Sequence, residues 1–341
     1  MENNRAVLRL GAAVVALAAF LGLLSTGSLE PLTRLPSGGW PLTALVFLQT
    51  GRIVRLPEKN EAQPPGPTQP VVPQPSQPEL PLPSVPEQAA LTMIREDLSY
   101  VSITYGCSYR PDLEALLTKP LSWELRGTEP TVLILHSHAT ECYTPAAGET
   151  VDFSGDYRTL DPEKNMVSIG AEVARILREG GVGVIHDTTL HDDPSFNAAY
   201  TSARETIQAY LAQYPSIRLV LDLHRDASGS GGAQLVTAGT VGGEKSAQLM
   251  LVVGTDGSGS RHPNWQENLS LALKLTAVLE WENPGLCRSI NLRSQRFNQD
   301  TSPGSLIVEV GAAGDTHQEA MLAAQALARG ILALADGVNT G

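Results

Sequence analysis

Hydrophobic positions along this chain fall into three regimes. An uncharged apolar run, Leu10 to Leu24, comes first; a proline-rich stretch without periodicity follows; from Glu87 onward short apolar runs alternate with helical spacing. In this last regime the pattern predicts strands at 98–105, 131–136, 181–187, 218–224, 233–238, 248–255 and 305–310. It predicts a short helix after Pro111 that turns at Pro120, then helices over 165–179, 197–214, 266–279 and 317–334. The 165–179 helix carries Met166, Ile169, Val173, Ile176 and Leu177 on one stripe and stops at Gly180 and Gly181. The 197–214 helix aligns Tyr200, Ile207, Tyr210 and Leu211. Strands and helices of these lengths in alternation predict an α/β fold, with a central mostly parallel or mixed sheet covered by helices on both faces.

Three of the predicted strands deliver polar side chains of the kind that bind metals. TVLILHSHATECYTP, Thr131 to Pro145, is an apolar, β-branched run that breaks into His136, His138 and Glu141. RLVLDLHRDA ends at His224, and GSLIVEVG carries Glu309. Open α/β sheets bind ligands beyond the carboxyl ends of their strands, so these ends are expected to converge on one zinc ion. A catalytic zinc takes three protein ligands and keeps one position for water. His138 and Glu141, three apart where strand gives way to loop, and His224 on a neighbouring strand are the expected ligands. Alternation points His136 to the same face as His138, but it still belongs to the apolar run and is assigned a supporting place. Asp222 and Asp226 bracket His224; one of them is expected to fix the imidazole tautomer, unless Asp226 caps the following turn. Arg225 either clamps a substrate carboxylate or neutralises these aspartates.

A carboxylate inside an apolar strand, as Glu309 is, is costly unless paired or functional. Burial raises its pKa towards values suited to a general base, and Glu309 is therefore the expected catalytic carboxylate. Asn298 and Gln299 in RFNQD are candidates for contacts to substrate amides. His186 and His191 sit in a loop rich in Asp that reads as a solvated rim, and Cys142 stands next to Glu141 as a conceivable competitor for metal. No glycine-rich phosphate loop precedes a helix, and no serine occupies a nucleophile elbow.

Composition narrows the partners. A formal charge of −12 over 341 residues argues against nucleic acid, which needs clustered Lys and Arg. Three scattered cysteines make no disulfide framework. Arg5 and Arg9 flank the first apolar run; 7–24 as a helix spans roughly 27 Å, enough to cross a bilayer. A retained anchor with the arginines inside is expected, the alternative being a cleaved signal peptide; either way the rest of the chain is exported. Trp40 to Val54 lies along the membrane or forms a second short hydrophobic helix. Pro57 to Pro86 is an extended spacer of about 3.1 Å per residue, on the order of 90 Å when stiff. The expected organisation is an anchor and juxtamembrane segment at 1–55, a linker at 56–90 and a catalytic domain at 91–341.

Successive blocks of the exported part, HSHATECYTP, HDTTLHDDPSFNAAY, PSIRLVLDLHRDA, LMLVVGTD, HPNWQENL, INLRSQRFNQD and PGSLIVEVG, together resemble the stage II sporulation protein P family from Leu91 to Asp336. The resemblance implies a peptidoglycan hydrolase of endospore formers, an N-acetylmuramoyl-L-alanine amidase with endopeptidase action on stem-peptide cross-links. It also implies a fold similar to zinc amidases and metallocarboxypeptidases. The expected place is the septal, engulfing membrane, beside stage II sporulation proteins D and M. Carried over by position, zinc falls on His138, Glu141 and His224, with Glu309 as the catalytic carboxylate. Related zinc amidases take their glutamate from the start of the helix after the first strand, which here is Glu163, so Glu141 and Glu163 compete for that place. Two other functions stay open: an inactive wall-binding scaffold of the septum, and a metallocarboxypeptidase on stem peptides, which only Arg225 favours.

Overall fold

The structure is a computed structural model that describes residues 101–337, apart from Gly155, Ser228, Gly231 and Gly232. The expected anchor, juxtamembrane patch and proline-rich spacer lie outside the described residues. Among the described residues no helix is long and apolar enough to cross a membrane.

The strands are β1 (Ile103–Gly106), β2 (Val132–Leu135), β3 (Val184–His186), β4 (Leu219–Asp226), β5 (Gly229–Ser230), β6 (Ala233–Gln234), β7 (Gly239–Val241), β8 (Glu244–Ser246), β9 (Leu249–Gly254), β10 (Ile290–Arg293) and β11 (Gly304–Ala312). The α-helices are α1 (Leu113–Thr118), α2 (Met166–Glu179), α3 (Ala199–Gln213), α4 (Trp265–Glu282) and α5 (His317–Gly337). Seven strands form one sheet in the order β1-β10-β9-β11-β4-β2-β3; β5 with β6 and β7 with β8 make two small hairpins. Neighbours in the large sheet are parallel except β9 and β11, which are antiparallel.

Parallel strands covered on both faces need apolar side chains on both, and VLIL of β2 is buried throughout. Alternation then sorts the layers. Ile134, Leu219, Leu221, Leu223 and Val308 face the core that α2, α4 and α5 complete. Leu133, Leu135 and Val220 face the opposite side, against Ala203 and Ile207 of α3. Asn165 caps α2, its side chain accepting from Val167 N–H. From β2 the chain moves outward to β3 by way of α2, then returns past β2 to β4 by way of α3, on the other face. The strand order therefore reverses between β2 and β4, and such reversals open a crevice at the carboxyl ends of the strands.

Two departures from the expected elements have local causes. Of the run 233–238 only Ala233–Gln234 pairs as a strand; Thr237 is held instead by Asp315, which accepts from its N–H and its hydroxyl, both at 2.7 Å. Strand β10, INLR, went unpredicted because half of its residues are polar, yet its alternating burial seats it between β1 and β9.

Candidate metal centre

The centre lies where β2, β4 and β11 end side by side. Glu309 is the register partner of His224, and Leu135 that of Asp222. Beyond Leu135 strand pairing stops, and Asp222 takes over as the receptor for the chain. It accepts from Ser137 N–H at 2.7 Å and from the Ser137 hydroxyl. The backbone then turns, with Glu141 N–H donating to His138 carbonyl at 3.2 Å, so these two side chains return to the same point. His138 Nδ1 lies 3.3 Å from Glu141 Oε1, and His224 Nδ1 lies 3.5 Å from Glu141 Oε2. One ligand atom from each of His138, Glu141 and His224 falls within 4.8 Å of the others.

Electrostatics favour the charged forms of Glu141 and His224 despite their burial. Burial opposes ionisation of Glu141, but hydrogen bonds to His138 and His224 and the charge of Arg225 hold its carboxyl well below the usual range. Burial likewise opposes a charged His224, and Asp222 and Glu141 raise it well above the ordinary histidine value. His224 Nε2 sits 2.9 Å from Asp222 Oδ1. Glu309 differs. Its Oε2 is sealed from solvent without a hydrogen-bond partner, although the residue as a whole keeps some exposure. Burial pushes its carboxyl up to about 8; His224 opposes that shift and Glu141 adds to it.

Several expected residues take other places. His136 is fully buried on the α2 side, because β2 alternation sends it there, and the turn after Leu135 rotates His138 to the opposite side. Its Nδ1 is 3.1 Å from Leu223 carbonyl and its Nε2 is 3.0 Å from His186 Nε2, so it does not support the three-residue cluster directly. Arg225 does not face a substrate: it is buried, with its guanidinium bonded to the carbonyls of Cys142 at 3.1 Å and of Asp156 and Tyr157 at 2.9 Å. It faces Glu141 at 3.7 Å. Gln299 is buried, and its amide donates to Val252 carbonyl at 2.8 Å and accepts from Gly254 N–H at 2.6 Å. Asn298 donates to Tyr200 carbonyl at 2.7 Å. Asp226 pairs with Arg288 at 2.8 Å, which leaves Asp222 as the carboxylate against His224.

Glu163 is exposed at the start of the turn into α2, outside the metal-binding group, which contains Glu141. Cys142 is buried, its thiol pushed up to about 11 by burial, and it too lies outside the group. All three cysteines are unpaired.

The loop expected as a solvated rim is largely exposed, but its Asp187, His191 and Asp192 are buried. Asp192 accepts from Thr140 hydroxyl and from Arg158, each at 2.6 Å, and so holds the turn that carries His138 and Glu141. His191 is buried beside Asp187 at 3.3 Å. Three participants escaped the sequence: Arg158, whose Nη2 is 3.3 Å from Glu141 Oε1, and the aromatic wall of Phe196 and Tyr200. Phe196 stacks on His138 at 4.5 Å while staying 52% exposed, and Arg158 lies 4.6 Å over the Phe196 ring. Helical spacing had given Tyr200 to the packed stripe of its helix, and no pattern marked Arg158.

The model of the stage II sporulation protein P (SpoIIP) family matches residues 68–332. Stage II sporulation protein P of Bacillus subtilis (strain 168) is 25% identical over 220 residues, covering 59% of this chain and 50% of that protein. The chain thus spans about half the length of this curated relative. Among solved structures it is similar to the N-acetylmuramoyl-L-alanine amidase AmiC2 of Nostoc punctiforme, with TM-score 0.36, 15% identity, and 60% of this chain and 97% of that one covered. An N-acetylmuramoyl-L-alanine amidase from Clostridium difficile 630 gives TM-score 0.38 at 12% identity, with 63% and 100% covered.

Proposed function

Because the chain belongs to the stage II sporulation protein P family, we propose that it is a peptidoglycan hydrolase of sporulation that uses one zinc ion to cut the amide between N-acetylmuramic acid and L-alanine. The observation that carries this reading is the convergence of His138, Glu141 and His224 within 4.8 Å, beside the unpartnered carboxyl oxygen of Glu309. Two imidazoles and one carboxylate are a donor set that suits catalytic zinc. The three residues would hold the ion, and His224 would give up its extra proton to do so. When bound, zinc polarises the scissile carbonyl and makes water acidic enough to attack near neutral pH.

The remaining work falls to the chain itself. Glu309 has the proton affinity to take a proton from the attacking water and hand it to the departing amine. Asp222, anchored by Ser137, orients the His224 ring. Arg225 and Arg158 balance the charge of Glu141. Action on stem-peptide cross-links would use the same groups on a different amide. In this account the apolar run before residue 25 anchors the protein in the septal membrane, and the proline-rich spacer gives the catalytic part reach into the wall. Stage II sporulation proteins D and M are the proposed partners. The carboxypeptidase alternative rested on Arg225, whose guanidinium is taken up by backbone carbonyls.

The test is digestion of purified peptidoglycan by the zinc-loaded full chain. New N-terminal alanine with unbroken glycan strands is the expected product. Absence of any new amine under these conditions would favour the inactive scaffold.

A further inference from the structure

The wall of the centre contains a phenol that the reaction above leaves unused. Tyr200, in the first turn of α3, places its ring against both candidate histidine ligands. It meets His138 edge-on at 5.4 Å and 76°, and lies parallel to His224 at 6.4 Å and 15°. The charged groups that act on its phenol, His224, Asp222, Glu309 and Glu141, all belong to the strand-end centre. Among the described residues that hydroxyl makes no hydrogen bond, and it is not among the side-chain atoms sealed from solvent, so it is open to a bound molecule.

The chain also invests strain in holding this residue. Phe297 and Asn298 are consecutive non-glycine residues in left-handed conformation, with φ of 50° and 64°. The Phe297 ring packs on Tyr200 at 6.0 Å, and Asn298 Nδ2 grips Tyr200 carbonyl at 2.7 Å.

From this arrangement we infer that Tyr200 is a further catalytic residue, whose hydroxyl donates a hydrogen bond to the carbonyl oxygen that becomes negative when the scissile amide is attacked. The inference rests on the hydrolase reading. In the reaction the water oxygen bonds to the carbonyl carbon, its proton goes to Glu309, and the C=O π pair moves onto the oxygen facing Tyr200. Collapse restores the carbonyl and breaks the C–N bond, and the nitrogen takes the proton from Glu309. One amide and one water give one carboxylic acid and one amine. Tyr200 keeps its own proton throughout and acts only as a hydrogen-bond donor. Asn298 is then a positioning residue for Tyr200.

The test compares the full chain with Tyr200→Phe, which keeps the ring and removes only the hydroxyl. The expected result is a kcat about 100-fold lower, with KM for wall fragments within about twofold and zinc content and melting temperature unchanged. Calorimetry adds a readout apart from turnover. Affinity for a phosphinate mimic of the tetrahedral adduct should fall about 30-fold or more. Affinity for an intact muropeptide, measured in the Glu309→Gln background, should be the same with and without Tyr200→Phe. Asn298→Ala should lower kcat about tenfold and leave KM alone. Wild-type kcat or wild-type phosphinate affinity in Tyr200→Phe overturns the assignment, as does loss of zinc or fold in that variant. A wild-type chain that digests no wall with zinc present overturns the hydrolase reading itself, and this inference with it.

Discussion

Two histidine pairs flank the end of β2, one beneath α2 and one against α3, and they differ in the company they keep. Beneath α2, His136 meets His186 at 3.0 Å and a backbone carbonyl at 3.1 Å. Burial drives these imidazoles neutral, His136 to about 3 and His186 to about 4. Against α3, His138 and His224 meet Glu141, and His224 also meets Asp222. Burial is just as severe for His224, yet the carboxylates raise its proton affinity well above normal. A pocket that stabilises a proton on imidazole in this way is one in which a divalent cation can replace that proton. Burial alone drives the first pair neutral; in the second pair the neighbouring carboxylates outweigh it at His224.

The largest expected effect tests that distinction. His224→Ala or Glu141→Gln should abolish stoichiometric zinc and all wall hydrolysis, whereas His136→Asn should keep one zinc per chain, read by elemental analysis. Next comes Glu309→Gln, expected to retain zinc and lose about 10³-fold in turnover. The same variant carries a pH signature. In the folded, metal-free protein Glu309 stays protonated up to about pH 8, whereas its ordinary value is 4.5. As pH rises through that window the unfolded chain releases this proton first, so wild-type stability is lost there. The metal-free Glu309→Gln protein should therefore gain on wild type by about 1–3 kcal/mol between pH 5 and 8, followed by denaturant melts. An advantage that shrinks with rising pH would contradict the buried, neutral carboxyl.

Asp222→Asn should weaken zinc binding about 10–100-fold without abolishing it, because it removes the group that orients His224. The smallest effect belongs to the other pair. A Cβ on Gly170 would lie 2.5 Å from both His136 and His186, so Gly170→Ala should cost about 1–3 kcal/mol of stability. Its zinc stoichiometry should be unchanged, and a loss of zinc in this variant would mean that the two pairs are coupled.

The strands that frame the site were legible because full burial leaves continuous apolar runs, as in VLIL and in LIV of β11. Where those runs break into polar residues, the structure brings together His138, Glu141 and His224, three residues the sequence had named. Periodicity failed where it stopped applying: the strand ends at Leu135, so the shared face expected for His136 and His138 does not exist. Residue type alone also did not foresee the bonds of Arg225 and Gln299, because side-chain chemistry does not reveal that a backbone carbonyl or N–H elsewhere needs that partner. The acidic loop around His191 looked solvated for the same reason; its Asp192 is consumed by Thr140 and Arg158, far off in sequence. Tyr200 was hidden because one helical stripe serves both the core and the site.

Anomalous diffraction at the zinc edge, from crystals of the zinc-loaded protein, tests the central claim most directly. The expected map has one strong peak in contact with His138, Glu141 and His224. A peak held by Glu163, Cys142 or the His136 and His186 pair, or no peak at all, would contradict it.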